Sequence, residues 1–146
     1  MNKLLPILLA CPVIASGAPL RAPVGAERAL IASVIIAEAG GEGREGMEAV
    51  WEVIHTRAKE RKLSYTRVVT QRKQFSCLNG TTPARLGQRM SQHPYYAWVH
   101  KVLLRTTPRT KHTNGANHYH AGRQPYWAKG KRGKRIGNHR FYRLKW

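Results

Sequence analysis

The chain has 146 residues, enough for one domain with a modest core and too few for two that each bury a comfortable interior. Hydrophobic residues at 42% and charged residues at 23% exclude wholesale disorder. The net charge of +19, from 26 Lys and Arg against 7 acidic residues, draws the molecule to polyanions such as nucleic acid, anionic lipid or the anionic polymers of bacterial envelopes.

Residues 1–18 run from one lysine through an apolar stretch to small residues ending at Ala18, the order of a secretory signal. Export to the periplasm, the envelope or the medium is therefore expected. Pro6 and Pro12 and the short length argue against a permanent spanning helix. Leu8-Leu9-Ala10-Cys11 also resembles a lipoprotein cleavage box, and a releasable anchor is a third reading. Residues 19–25 read as a linker and 26–146 as one catalytic unit. With the leader removed, Cys77 has no disulfide partner and reads as a small buried hydrophobe rather than a nucleophile.

Leu30, Ile31, Val34 and Ile35 recur at helical spacing, with Glu27 in the first turn and Gly40-Gly41 as the stop. A second helix from Arg44 to Lys62 carries the stripe Met47, Val50, Trp51, Ile54 and Ala58, with Glu45, Glu48, Glu52 and Lys59 outside it. Ser64 caps a short third helix to Gln71, and Gln74 to Gly80 forms a structured loop. Pro83 opens a helix toward Gln92, and Tyr95 to Leu104 gives another, with Trp98 and Val102 on a common face. After the turn signal Asn114-Gly115, two or three short strands are expected within Ala116 to His120 and Arg135 to Leu144, with the charge run Lys129 to Arg135 as a solvated loop. The fold class is α+β, a small helical domain with a short antiparallel hairpin or sheet near the C-terminus.

The carboxylates are Glu27, Glu38, Glu42, Glu45, Glu48, Glu52 and Glu60; there is no Asp, and no acidic side chain follows Glu60. That excludes a Ser-His-Asp triad and starves most Mg²⁺ or Ca²⁺ sites of ligands. Glu38 follows Val34 by four residues and Ile35 by three, so it leaves the first helix on its apolar face, beside the glycine break. A carboxyl against apolar groups resists ionisation and suits a general acid. The same pattern fits a structural carboxylate paired with an Arg.

Five stretches go further: Glu38-Ala-Gly-Gly-Glu42, Glu45 to Val50, Gln74-Phe75-Ser76, Gly115 to His120, and Arg135 to Arg143. In that order they resemble the cell wall hydrolase family of the spore cortex-lytic type. The resemblance implies a lysozyme-like α+β domain that cleaves peptidoglycan between MurNAc and GlcNAc, with Glu38 at the catalytic acid's position and Gln74, Phe75, Ser76, Tyr119, His120 and His139 as candidate substrate contacts. Where the family continues its second helix with Asn-Arg, this chain has His55-Thr56-Arg57, so only Arg57 carries over.

Two-carboxylate glycosidases hold their acids roughly 5–9.5 Å apart, which leaves Glu42 and Glu45 as the near partners, Glu42 first. Single-acid chemistry needs only Glu38, which would close a 1,6-anhydro ring on the sugar. Neither route calls for a cofactor. A zinc amidase or peptidase is the competing class, since His118 and His120 share a strand face and His112 or His139 could join them; the lack of nearby carboxylates to orient the rings weakens it. A non-catalytic polyanion binder is the third, because thirteen Lys and Arg lie between Lys101 and Lys145 among Tyr119, Tyr126, Trp127, Phe141 and Tyr142. Export disfavours nucleic acid as partner and favours peptidoglycan, with anionic wall polymer or membrane beside it. The protein is expected to act as a monomer.

Overall fold

A helix that is apolar on every side has to be surrounded, and α1 (Gly25–Ala39) is: Ile31 through Ile36 are buried without interruption. The computed structural model describes residues 19–146, so the leader reading of residues 1–18, with Cys11, lies outside the described residues. Helices α2 (Gly43–Arg61), α3 (Tyr65–Thr70), α4 (Pro83–Met90) and α5 (Tyr96–Lys101) pack around α1. A three-stranded antiparallel sheet of β1 (His118–Ala121), β2 (Lys134–Ile136) and β3 (His139–Tyr142), in the order β1-β3-β2, closes the domain near the C-terminus. The class is the α+β arrangement expected. No helix among the described residues is long and apolar enough to cross a membrane.

Local signals account for most boundaries. The side chain of Ser64 accepts from Arg67 N at 3.2 Å, and Thr82 caps α4 the same way, with Pro83 in the first turn. Lys62, in the left-handed region, ends α2. Gly40-Gly41 does not stop the chain cleanly. It continues through a 3₁₀ turn, Gly40–Glu42, and the break comes at Gly43, whose φ of +72° favours glycine.

Several expectations change. Residues 19–25 are no loose linker: Leu20 packs against the core, and Arg28 Nε donates to the Pro23 carbonyl at 2.7 Å. In α5 the inward residue is Val99, while Val102 follows the helix and is 59% exposed. The charge run is loop only at its start, because Lys134–Ile136 pair with β3 and Gly137-Asn138 make the two-residue turn between them. Helix α2 is buried on more than its apolar stripe, since Glu52, Thr56 and Arg57 are also inside.

Glu52 shows why. Its Oε1 accepts from His112 N at 2.9 Å and its Oε2 from Thr113 N and Oγ1 at 2.8 and 2.7 Å, so a buried carboxylate clamps a loop some sixty residues downstream. The other acids act similarly. Glu27 receives Thr66 N and Oγ1 at the start of α3, Glu45 and Glu48 face the two ring nitrogens of His112, and Glu60 receives Asn117 Nδ2, Trp146 Nε1 and Arg143. Asn117, fully buried, completes the join by donating to the Leu144 carbonyl and accepting from Leu144 N.

Replacing Glu52 strands the buried N–H and hydroxyl of Thr113 and the part-buried N–H of His112, so Glu52→Ala is expected to lose about 3 kcal/mol of stability, read as a lower urea midpoint at unchanged slope. Acid acts on the same fasteners. Backbone N–H donation from Asn138 lowers the pKa of Glu42. Burial pushes Glu60 up, but the bonds from Asn117, Trp146 and Arg143 outweigh it and the net shift is downward. Depressed folded-state values mean stability that is present above the ordinary 4.5 and lost as pH falls through the lower folded values. Denaturant titrations across this acid range should therefore show falling stability, with a shallower fall in Glu42→Gln.

Candidate active site

Glu38 stands in the last turn of α1, half-buried, and its carboxyl is met by donors rather than by the apolar wall that helical spacing alone implies. Tyr119 OH donates to Oε2 at 2.9 Å, and Cys77 N and Ser76 Oγ donate to Oε1 at 3.2 and 3.4 Å. Three separated stretches thus converge on one acid: the end of α1, the 3₁₀ turn Ser76–Leu78, and β1.

Each partner is itself held. Tyr119 points inward from β1 against His139 and Phe141, with ring centroids 5.2 and 5.5 Å away. Burial, reinforced by the negative charge of Glu38, raises its pKa well above 10, so the phenol keeps its proton and donates it. Arg57 lies close by, 5% exposed, with Nε bonded to the Asn117 carbonyl at 2.7 Å and its guanidinium over the Phe75 ring at 5.4 Å. Burial lowers the Arg57 pKa, while Tyr119 and Glu38 work in the opposite direction. Arg57 NH1 and His139 Nδ1 are buried with no hydrogen-bond partner among the described residues. Burial also lowers the pKa of His139, although Glu42 and Glu38 pull it up.

The candidate contacts separate into three groups. Ser76, Tyr119 and His139 gather at Glu38. Gln74 is exposed beside them, with no side-chain bond to the acid among the described residues. Phe75 does not face outward: at 1% exposed it is core, covered by Arg57, and cannot touch a substrate. His120 is turned away, because alternation along β1 sends Tyr119 in and His120 out, where its Nε2 meets Tyr142 OH at 3.1 Å.

Glu42 is engaged elsewhere too. Its Oε2 accepts from Asn138 N at 2.8 Å and its Oε1 from Asn138 Nδ2 at 3.1 Å, and a Cβ at Gly137 would run into the carboxylate. It pins the β2–β3 turn to the start of α2 and is not poised as a second acid. The histidines disperse as well: His118 meets Asn117 Oδ1, His112 sits between Glu45 and Glu48, and among the described residues no three His, Cys or Glu side chains are grouped as a metal site.

An open pocket of about 480 Å³ is lined among others by Cys77, whose N–H donates to Glu38, and by Asn79, Thr81, Arg85, Gln88 and Arg89. Arg85 and Arg89, one turn apart on α4, give this side a positive lining. Pattern reading missed this pocket, and also the Cys77 backbone N–H and the fit of Arg57 behind the acid; the isolated Arg57 of the second helix was the one available hint.

A half-buried carboxyl held by three donors, one of them from a residue that lines an open polar pocket, is an arrangement suited to acid–base chemistry. Residues 41–142 match the Cell Wall Hydrolase family, and the chain belongs to it, as an enzyme acting on peptidoglycan. Glu38 lies three residues before the matched segment. The catalytic domain of the Bacillus cereus SleB protein has a similar fold, with a TM-score of 0.55 at 20% identity over 86% of this chain and 98% of that one. No curated protein matches the chain.

Burial and the nearby Glu38 push the Cys77 thiol up to about 12. At pH 8 it should be ionised at about one part in ten thousand, so mass spectrometry of the Cys77 peptide should show alkylation far slower than at a free thiol, and Cys77→Ala should keep its wall-lytic activity.

Proposed function

We propose that this enzyme cuts the glycan strand of peptidoglycan between MurNAc and GlcNAc as a lytic transglycosylase, with Glu38 as both acid and base. The observation that carries the proposal is the setting of Glu38. All seven carboxylates join distant segments, but among the described residues only Glu38 is met by a phenol, a hydroxyl and a backbone N–H together, the last from Cys77, which lines an open pocket.

Glu38 gives its proton to the glycosidic oxygen as the bond from MurNAc C1 breaks and the GlcNAc alcohol leaves. The 6-hydroxyl of the same MurNAc then attacks C1, its proton passes to the Glu38 carboxylate, and a 1,6-anhydro ring closes without consuming water. One residue, returned to its starting state, serves both halves. Tyr119 and the Cys77 N–H fix the carboxyl's direction, which positions the proton for transfer. The commitment of Glu42 to Asn138 favours this route over a two-carboxylate one. The leader pattern of residues 1–18 supports action outside the cytoplasm, where the substrate is.

Removing the proton should be decisive. Glu38→Gln is expected to lose at least about 10²-fold in wall-lytic turnover while keeping the wild-type circular dichroism and melting curve. Mass analysis of muropeptides from the wild-type digest should find anhydro ends, one water lighter than reducing ends. Reducing MurNAc ends alone would replace this route by hydrolysis of the same bond, and cleaved peptide stems with intact glycan would overturn the proposal.

A further inference from the structure

We infer that the outer face of the sheet is a second binding site, for a phosphate-bearing anionic glycopolymer of the cell envelope. This rests on the reading that the enzyme works on peptidoglycan. The three strands present two unlike faces. Tyr119, Ile136, His139 and Phe141 point toward the core and Glu38. The alternate positions point the other way, and the register sets His120 opposite Arg140 and Arg140 opposite Arg135, a single row of basic side chains across all three strands.

Like charges directly opposite one another destabilise a sheet. Among the described residues no ion pair goes to Arg135 or Arg140; the pairs go to Arg143 and His112. Arg135 donates through Nε to the Gly137 carbonyl at 3.0 Å, and both arginines are exposed. Unneutralised guanidinium groups held side by side match the geometry of a phosphate, which accepts two parallel N–H donors.

The surface continues into an open groove of about 770 Å³ whose lining includes Tyr126, Trp127, Lys131, Arg132, Tyr142 and Lys145. Tyr126 is 92% exposed, and Trp127 is braced by His118, His120 and Tyr142 at 5.4, 5.8 and 5.4 Å, which holds its ring as a rigid wall. Flat aromatic faces suit sugar rings, and the surrounding cations suit the phosphates between them. The spread of charge from Arg135 to Lys145 suits a polymer rather than a single ion. Because the reverse of the same strands carries Tyr119 to Glu38, an occupant here sits one sheet thickness from the acid, which favours a polymer found together with the glycan strand.

The test reads binding of the full chain carrying Glu38→Gln, so that turnover plays no part and its result stands apart from the muropeptide digest. Probes are poly(glycerol phosphate), duplex DNA of equal charge and vesicles of phosphatidylglycerol, each titrated over a salt series. The polymer should bind tightest, and Arg135→Ser with Arg140→Ser should weaken it, lowering the slope of log affinity against log salt by about 0.7 for each phosphate left unneutralised. Lys131→Ser with Lys145→Ser tests the groove independently and should weaken binding also. The arginine pair's removal should leave the melting temperature at or above its starting value, since it relieves repulsion. Unchanged polymer affinity in both double variants overturns the inference. Tighter binding to DNA or to vesicles, lost in the same variants, overturns it in favour of a nucleic-acid or a lipid site.

Discussion

Every acidic side chain of the molecule stands between residues 27 and 60, and the later half of the chain is fastened to the first two helices by them. The clamp of Glu52 on His112 and Thr113 is the most buried of these joins, and the bonds of Glu42 to Asn138 and of Glu60 to Asn117, Arg143 and Trp146 repeat the arrangement toward the C-terminus. Each is a charge-assisted bond, stronger than one between neutral groups, and at Glu52 the bonds also satisfy donors of Thr113 that packing removes from water. Together they hold the C-terminal segments, the sheet's turn among them, against the first helices, where Tyr119 meets Glu38.

That economy explains why the acids' roles were only partly legible in the sequence. Helical spacing finds which residues cannot face water, and it located α1, α2 and the capped starts at Ser64 and Pro83 because those signals are local. It placed Glu52 outside the stripe, since periodicity treats a carboxylate as a surface group and cannot see the loop that covers it. Val102 replaced Val99 on the expected inner face for a similar reason: only the neighbouring elements determine which of two apolar residues turns inward. Gly137-Asn138 lies inside the stretch Arg135 to Leu144 read as strand, whereas the pairing puts a turn there and draws Lys134 and Arg135 out of the expected loop into β2.

The site follows the same division. Position and family resemblance together single out Glu38, and its surroundings differ in kind from those inferred, donors in place of hydrocarbon. Alternation in β1 was read for His118 and His120 as a pair, yet its larger consequence was to split Tyr119 from His120, one to the acid and one to the outer face. Phe75 lies in a motif of expected substrate contacts but serves as the apolar seat for Arg57, a buried cation whose charge is coupled to that of the acid. A family motif records which residues occur together; whether each faces the ligand or supports one that does is a matter of packing.

The bond from Tyr119 to Glu38 spans 81 residues of sequence, and the one from Cys77 spans 39. Closing loops of that size costs entropy that the bonds must offset. The donors of Glu38 come together only where helix, loop and sheet are all docked, so a partly unfolded chain lacks the arrangement around this acid.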